Sequence, residues 1–207
     1  MKIQAGFKYR IYPNCEQQQS LAVHFGHSRY VYNTYLAVRR DYYDATGKNS
    51  TYSDCTKDLT QFKRESEFAW LKDADAQVLQ QSLKDLDSAF QRFFKGISKY
   101  PSFKSKYDKQ SCRWPQRFKL NDNKLYLPKV GWVKFTLHRP VQGKMKSVTV
   151  SKTKSGKYFA SILCEWEQDQ PQQLPNTVGI DLGITHFATL STCEKFKNPR
   201  NLIRNLR

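Results

Sequence analysis

Long apolar runs are missing from this 207-residue sequence, and so is any C-x-x-C pair. Without about 20 consecutive apolar residues no segment is expected to span a membrane. The first residues, "MKIQAGFKYRIYP", alternate in character and do not form the apolar core of a signal peptide. The expected location is therefore the cytoplasm. Five cysteines, Cys15, Cys55, Cys112, Cys164 and Cys193, are odd in number and widely spaced, which excludes a disulfide framework and a zinc ribbon and leaves reduced packing residues. Acid is also scarce. Against 35 Lys and Arg stand only 18 Asp and Glu, a net charge of +17 that favours a polyanionic partner. Nucleic acid is the foremost candidate, with a nucleoid association, and a membrane is not.

What is present builds a folded chain: 39% of residues are hydrophobic and 14% aromatic, enough for real cores. In "KIQAGFKYRIYP" the residues Ile3, Ala5, Phe7, Tyr9 and Ile11 share one side of an extended segment that Pro13 closes. From Glu16 the spacing becomes helical through Leu21, Phe25, Ser28, Tyr32 and Tyr35, with Gly26 expected to break it into two helices. A short helix is expected near residues 58–67. A stronger one follows in "DAQVLQQSLKDLDSAFQRFFKGI", where Leu79, Leu83, Leu86, Phe90, Phe93 and Ile97 form an apolar stripe. Residues 125–167 read as four strands, including a turn at "KTKSGKY" in which Gly156 takes positive φ. With the N-terminal strand they make a small α+β unit, a β-barrel interrupted by a helical insertion. "EQDQPQQLPN" reads as a linker to a further unit.

Two groups of side chains carry binding chemistry. Residues 95–119 hold eight basic residues, five aromatics and one acid. Lys95, Lys99, Lys104, Lys106 and Lys109, with Arg113 and Arg117, would neutralise phosphates and release counterions. Tyr100 and Phe103, with Tyr107, Trp114 and Phe118, offer faces on which unpaired bases stack. The alternative is a solvated connector whose aromatics plug a domain junction. On the polar face of the strong helix, Gln77 and Gln81 are of the type that bonds an adenine edge, and Lys84 of the type that reaches a guanine or a phosphate. The alternative there is an ordinary solvated face. His24 and His27 lack a third ligand and read as packing residues rather than a metal pair.

The stretch "VGIDLGITHFATLS", residues 178–191, reads as an apolar strand bearing Asp181, a turn at Gly183 and an antiparallel return strand. A two-metal nuclease of ribonuclease H type needs a carboxylate at such a position, and an actin-like ATPase places its first phosphate loop on a similar "DLG" turn. The order of motifs separates these. "FKYRIYPNCEQQQSL", "FGHSRYVYN", "WLKDADAQVLQQSLKDLDSAFQRFF", "YPSFKSK", "LYLPKVGWVKFTLHR" and "VGIDLGITHFATLS" resemble the successive signatures of TnpB-like (OrfB) proteins of insertion sequences, over essentially the whole sequence. The resemblance implies a wedge-type β-barrel, an inserted helical recognition domain with a helix-turn-helix-like start, and the opening hairpin of an RNase H-like (RuvC) nuclease domain. It implies the boundaries 1–13 for the first barrel strand, 14–100 for the helical insertion, 101–170 for the connector and remaining barrel, and 171–207 for the linker and nuclease start. Its partners would be a guide RNA from the transposon end and target DNA, and its cofactor, in a completed nuclease domain only, Mg²⁺.

The family's later catalytic Glu and Asp, and the zinc ribbon between them, find no match here. After Asp181 the only acid is Glu194, in a segment, "STCEKFKNPRNLIRNLR", expected to form a loop and a first helical turn. Asp181 is then the only remaining RuvC-type carboxylate, and it would be a metal ligand only in a completed domain. The expectation is a nucleic-acid-binding protein that is catalytically incomplete alone; the alternatives are one part of a split nuclease completed by a C-terminal half, and an actin-like nucleotide-binding fragment.

Overall fold

The computed structural model describes residues 1–169 and 177–200, and the chain divides into two units, Met1–Gln168 and Asp169–Arg207. The first is a mixed helix and sheet unit. Its opening strand β1 (Lys2–Tyr12) turns Phe7, Tyr9 and Ile11 inward, as the alternation of its sequence requires. It pairs antiparallel with β7 (Tyr158–Glu167), from Lys2 opposite Glu167 to Ile11 opposite Tyr158, and with β5 (Gly131–Phe135) at its far end. The remaining strands are β2 (Gln110–Trp114), β3 (Lys119–Asn121), β4 (Lys124–Leu127) and β6 (Lys144–Lys152). The resulting seven-stranded order is β2-β6-β7-β1-β5-β4-β3.

The sequence pattern yielded five strands, and the structure adds β2 and β3. Both are short. In β2 the inward residues Cys112 and Trp114 alternate with Arg113, so a strand lies inside what composition marks as a basic connector. Trp114 pairs opposite Val148 and is fully buried. One core cluster takes side chains from every strand, including half-buried Leu120 of β3. No ladder joins β2 to β3 among the described residues. The hairpin turn between β6 and β7 is as expected, with Gly156 at φ 76°.

The insertion begins at α1 (Cys15–Thr46), a single helix of 32 residues that runs through Gly26 without a break. Its ends are set elsewhere. Asn14 and Gln17 form a reciprocal capping box, and Gly47 stops the helix at φ 68°. A glycine inside a helix costs about 1 kcal/mol against alanine, less than the buried stripe of Leu21, Phe25, Tyr32 and Tyr35 returns. The two halves of α1 serve different cores: Leu21 and Phe25 join the strand cluster, while Val31, Tyr32, Tyr35 and Leu36 join a helical one.

α2 (Tyr52–Phe62) starts earlier than the expected 58–67, because Thr51 and Asp54 form a second capping box. A 3-10 helix (Ser66–Asp73) follows, then α3 (Ala76–Phe94), capped by Asp75. Leu79, Leu83, Leu86 and Phe90 are buried as the stripe predicts. Phe93 is only half-buried, and Ile97 lies past the helix end and is exposed. Cys55, Cys112 and Cys164 are buried free thiols, whereas Cys15 and Cys193 are exposed and do not pack.

The second unit contains β8 (Ile180–Leu182), β9 (His186–Leu190) and β10 (Lys195–Lys197), an antiparallel sheet of order β10-β9-β8. β8 and β9 form the strand and antiparallel return strand that the pattern of residues 178–191 indicates, but residues 195–197 form a third strand where a loop and helical turn were expected. The rest of that expectation, residues 201–207, lies outside the described residues, as does most of the linker. Ile180, Leu182 and Ile184 are exposed, so β8 is not the buried central strand its apolar residues indicate.

Candidate nucleic-acid interface

The basic connector is a fixed structure and not a loose tether. The Asn33 side chain of α1 clamps Lys104 twice: its Nδ2 donates to the Lys104 carbonyl at 2.9 Å and its Oδ1 accepts from the Lys104 amide at 2.8 Å. Gln110 Nε2 donates to the carbonyls of Lys106 and Asp108, and its Oε1 accepts from Arg29 at 2.8 Å. Ser105 N–H bonds the Asp108 carboxylate, so the single acid of the segment serves the loop itself. A loop held this way loses little freedom when a ligand binds.

The cations differ in their freedom. Lys106, Lys109 and Arg113 are exposed. The Lys104 ammonium sits 3.7 Å from the centre of the Tyr32 ring, where desolvation draws its pKa below the usual lysine value while Asp85 opposes the shift. Lys95 caps α3 and, like Lys99, is exposed. Arg117 is different: its guanidinium bonds the buried Asp75 carboxylate at 2.7 Å, which ties the segment after β2 to the N-terminus of α3. Its first task is structural.

The aromatics divide the same way. Trp114 is in the strand core and Phe118 packs against it, so the domain-plug alternative holds for these two. Tyr100, Phe103 and Tyr107 are 46%, 54% and 75% exposed and remain available for stacking. Tyr100 stands edge-on to Phe90 and Phe93, which fix its orientation.

On α3, Gln77, Gln81 and Lys84 line a polar cleft of about 280 Å³ together with Tyr52 and Gln116. Gln77 Oε1 is buried there without a hydrogen-bond partner. Gln81 Nε2 bonds Asp85 at 3.0 Å. The solvated-face alternative therefore fits Lys84, which is exposed, but not the two half-buried glutamines. Several residues of the surface escape a linear reading. Lys8 on β1, and Lys152 and Lys154 beside the β6–β7 turn, meet Lys106 and Lys109 around a wider cleft of about 700 Å³. Their only sequence signal is the overall charge, because three separate segments contribute.

His24 is fully buried, as a packing residue should be. Its Nδ1–H donates to the Ser20 carbonyl at 2.7 Å and its Nε2 accepts the Asp75 amide at 3.1 Å, which fixes the neutral tautomer. His27 stands edge-on to Trp70.

In the second unit Asp181 pairs opposite Thr189 and is exposed. Glu194 lies in the turn before β10. Among the described residues no three His, Cys, Asp or Glu side chains gather into a metal-holding group. The described donors around Asp181 do not by themselves make up a two-ion centre, which needs several hard oxygen ligands.

Fold and surface define an α+β protein with exposed cations and aromatics on a braced connector, a polar cleft on α3 and a wider cleft between the connector, β1 and the β6–β7 turn. A family model described as a helix-turn-helix domain, HTH_OrfB_IS605, matches residues 1–48. The chain is 35% identical to the "Putative RNA-guided DNA endonuclease InsQ" of Escherichia coli (strain K12) over 99% of its own length and 52% of that protein. It is 35% identical to a "Putative RNA-guided DNA endonuclease" of Streptomyces pristinaespiralis, over 97% of its length and 51% of the relative. It is also 34% identical to the "Virulence protein VsdF" of Salmonella dublin across 49% of the chain and 93% of that protein. The chain belongs to the TnpB-like OrfB family. It spans about half the length of the two endonuclease relatives. Residues 1–48, matched by the helix-turn-helix model, hold one strand and one unbroken helix.

Proposed function

We propose that this chain is a transposon-associated nucleic-acid-binding protein that holds a guide RNA from the transposon end and engages target DNA. The observation that carries the reading is the braced connector: exposed cations at Lys106, Lys109 and Arg113 beside exposed Tyr100, Phe103 and Tyr107, on a loop fixed by Asn33 and Gln110. The names of the two endonuclease relatives support it. Gln77, Gln81 and Lys84 are the proposed readers of target DNA, through base edges or a phosphate. The seven-stranded sheet is proposed to be the wedge barrel, its edges β2 and β3 being joined by residues 115–118. No described helix is long and apolar enough to cross a membrane, and the proposed setting is the nucleoid.

The second unit is proposed to be the start of a RuvC-type domain, with Asp181 as the first carboxylate of a Mg²⁺ centre completed by ligands from outside this chain. A second reading is a nuclease split over two polypeptides, favoured by the exposure of Ile180, Asp181 and Leu182, which leaves β8 an uncovered surface for further elements.

Salt titration of binding tests the proposal. Each displaced counterion contributes about −0.7 to −0.9 to the log–log slope, so the slope is expected to be well beyond −2. Replacing Lys104, Lys106 and Lys109 by alanine together should make it shallower by about 2 to 3. An affinity that barely responds to salt, or to the triple substitution, would refute the reading.

A further inference from the structure

Between α1, α3 and β2 lies a cleft of about 300 Å³. Its floor is apolar, with Phe25, Val78 and Cys112, all of which are buried. Two polar groups interrupt that floor. Ser28 is only 8% exposed and its Oγ has no hydrogen-bond partner. A buried hydroxyl left unpaired is costly, of the order of 1–3 kcal/mol, unless a ligand or water meets it. Asp85 is the second: Gln81 occupies its Oδ1, and its Oδ2 accepts no hydrogen bond from the described residues. The other charged residues of the lining are four cations, Arg29, Lys104, Lys109 and Arg113, against one acid, Asp108, whose carboxylate accepts from the Ser105 amide, so the rim is cationic on balance.

This arrangement selects a ligand chemistry. A carboxylate in the floor repels a phosphate from the interior, while the rim attracts one. The apolar walls favour a flat ring, and the volume, at the lower end for small-ligand sites, leaves room for one nucleotide unit but not a stack. An ionised carboxylate only accepts hydrogen bonds, so the ring must present an N–H donor. We propose that the cleft receives one unstacked nucleobase bearing an amino group, guanine, adenine or cytosine, with its phosphate on the cationic rim. The base would come from a strand held by the connector, so the inference rests on the nucleic-acid reading above and specifies it. Uracil and thymine offer only the N3–H, which stands between two carbonyl oxygens that the carboxylate repels, and are disfavoured beside Asp85. Extruding a base costs little where the nucleotide is already unpaired.

The probe is a hairpin with a single bulged nucleotide, prepared in RNA and DNA forms, with the bulge varied among the four bases and an abasic unit. Fluorescence anisotropy on the intact chain is expected to show about tenfold tighter binding for amino-bearing bulges than for uracil, thymine or the abasic unit. Preference in either series supports the proposal and identifies the strand that supplies the base. Asp85→Asn, which preserves shape, should collapse the preference and leave the salt slope unchanged; Ser28→Val, which fills the floor, should do the same if it folds. Steep salt dependence with no effect of bulge identity in either series would overturn the pocket while leaving the wider interface intact. Loss of salt dependence would instead count against the interface itself. Equal affinity for free mononucleotides and bulged strands would also overturn the proposal, since the strand would then contribute nothing.

Discussion

His24 shows how one buried side chain couples the fold to pH. Its Nε2 accepts from the Asp75 amide, so the ring must be neutral to complete the bond. Desolvation lowers its pKa from the usual value, outweighing the Ser20 carbonyl and Asp75, which raise it; Lys129 lowers it further. The unfolded ring titrates near 6.5, so the unfolded state binds more protons below that pH. The stabilisation from the neutral ring is therefore fully present above about pH 6.5 and is lost as pH falls through the lowered folded value. His27, also lowered chiefly by desolvation, acts in the same direction. Urea unfolding at pH 7.5 and 5.5 should show a lower midpoint in acid, by up to about 1.4 kcal/mol per pH unit and per histidine. His24→Gln, whose side-chain oxygen can still accept from Asp75, should flatten part of this response. An unchanged midpoint between the two pH values would exclude the neutral-ring account.

Among the elements, β1 has the largest share in the first unit, because it lies between β7 and β5 and supplies Phe7, Tyr9 and Ile11 to the core. Each such side chain contributes about 1.5 to 3 kcal/mol on burial. Deleting residues 1–12 is expected to abolish the cooperative unfolding transition seen by circular dichroism, and a surviving transition would refute the central role of this strand. The helical insertion is less separable than its place in the sequence implies, since Leu21, Phe25 and Val78 enter the same core. Strand β1 and helix α3 were legible because their periods of two and 3.6 are driven by burial on one side. β2 was not, since its outward residues match the surrounding basic composition. Gly26 misled for a different reason: packing on both sides of it overrides its weak local preference. The cations of the interface were readable as composition. Ser28, Arg29 and Asp85 were not, because only the packing of α1 and α3 on β2 brings them to one cleft.

For the molecule as a whole, the question is whether binding and cleavage reside in the same chain. A two-metal phosphoryl transfer needs ions about 3.5–4 Å apart, bridged by several oxygens, to stabilise both attacking and leaving groups. Asp181 stands exposed on β8. Two acids of α3 are engaged elsewhere: Asp85 accepts from Gln81, and Asp87 from Arg39 and Gln91. The purified 207-residue chain is thus expected to leave a target plasmid uncut in Mg²⁺, with or without guide RNA. Adding a second polypeptide that carries the later RuvC carboxylates should produce cleavage, and Asp181→Ala in this chain should remove it while leaving RNA binding within about twofold, since the substitution lies outside the proposed binding residues. Two outcomes would count against this division of labour. Cutting by the chain alone that Asp181→Ala removes would place a complete metal centre within these residues, with Glu194 as the one acid that follows it in this sequence. Restored cutting that survives Asp181→Ala would mean that the second chain brings a whole active site of its own, and that Asp181 is only the polar residue of a surface strand.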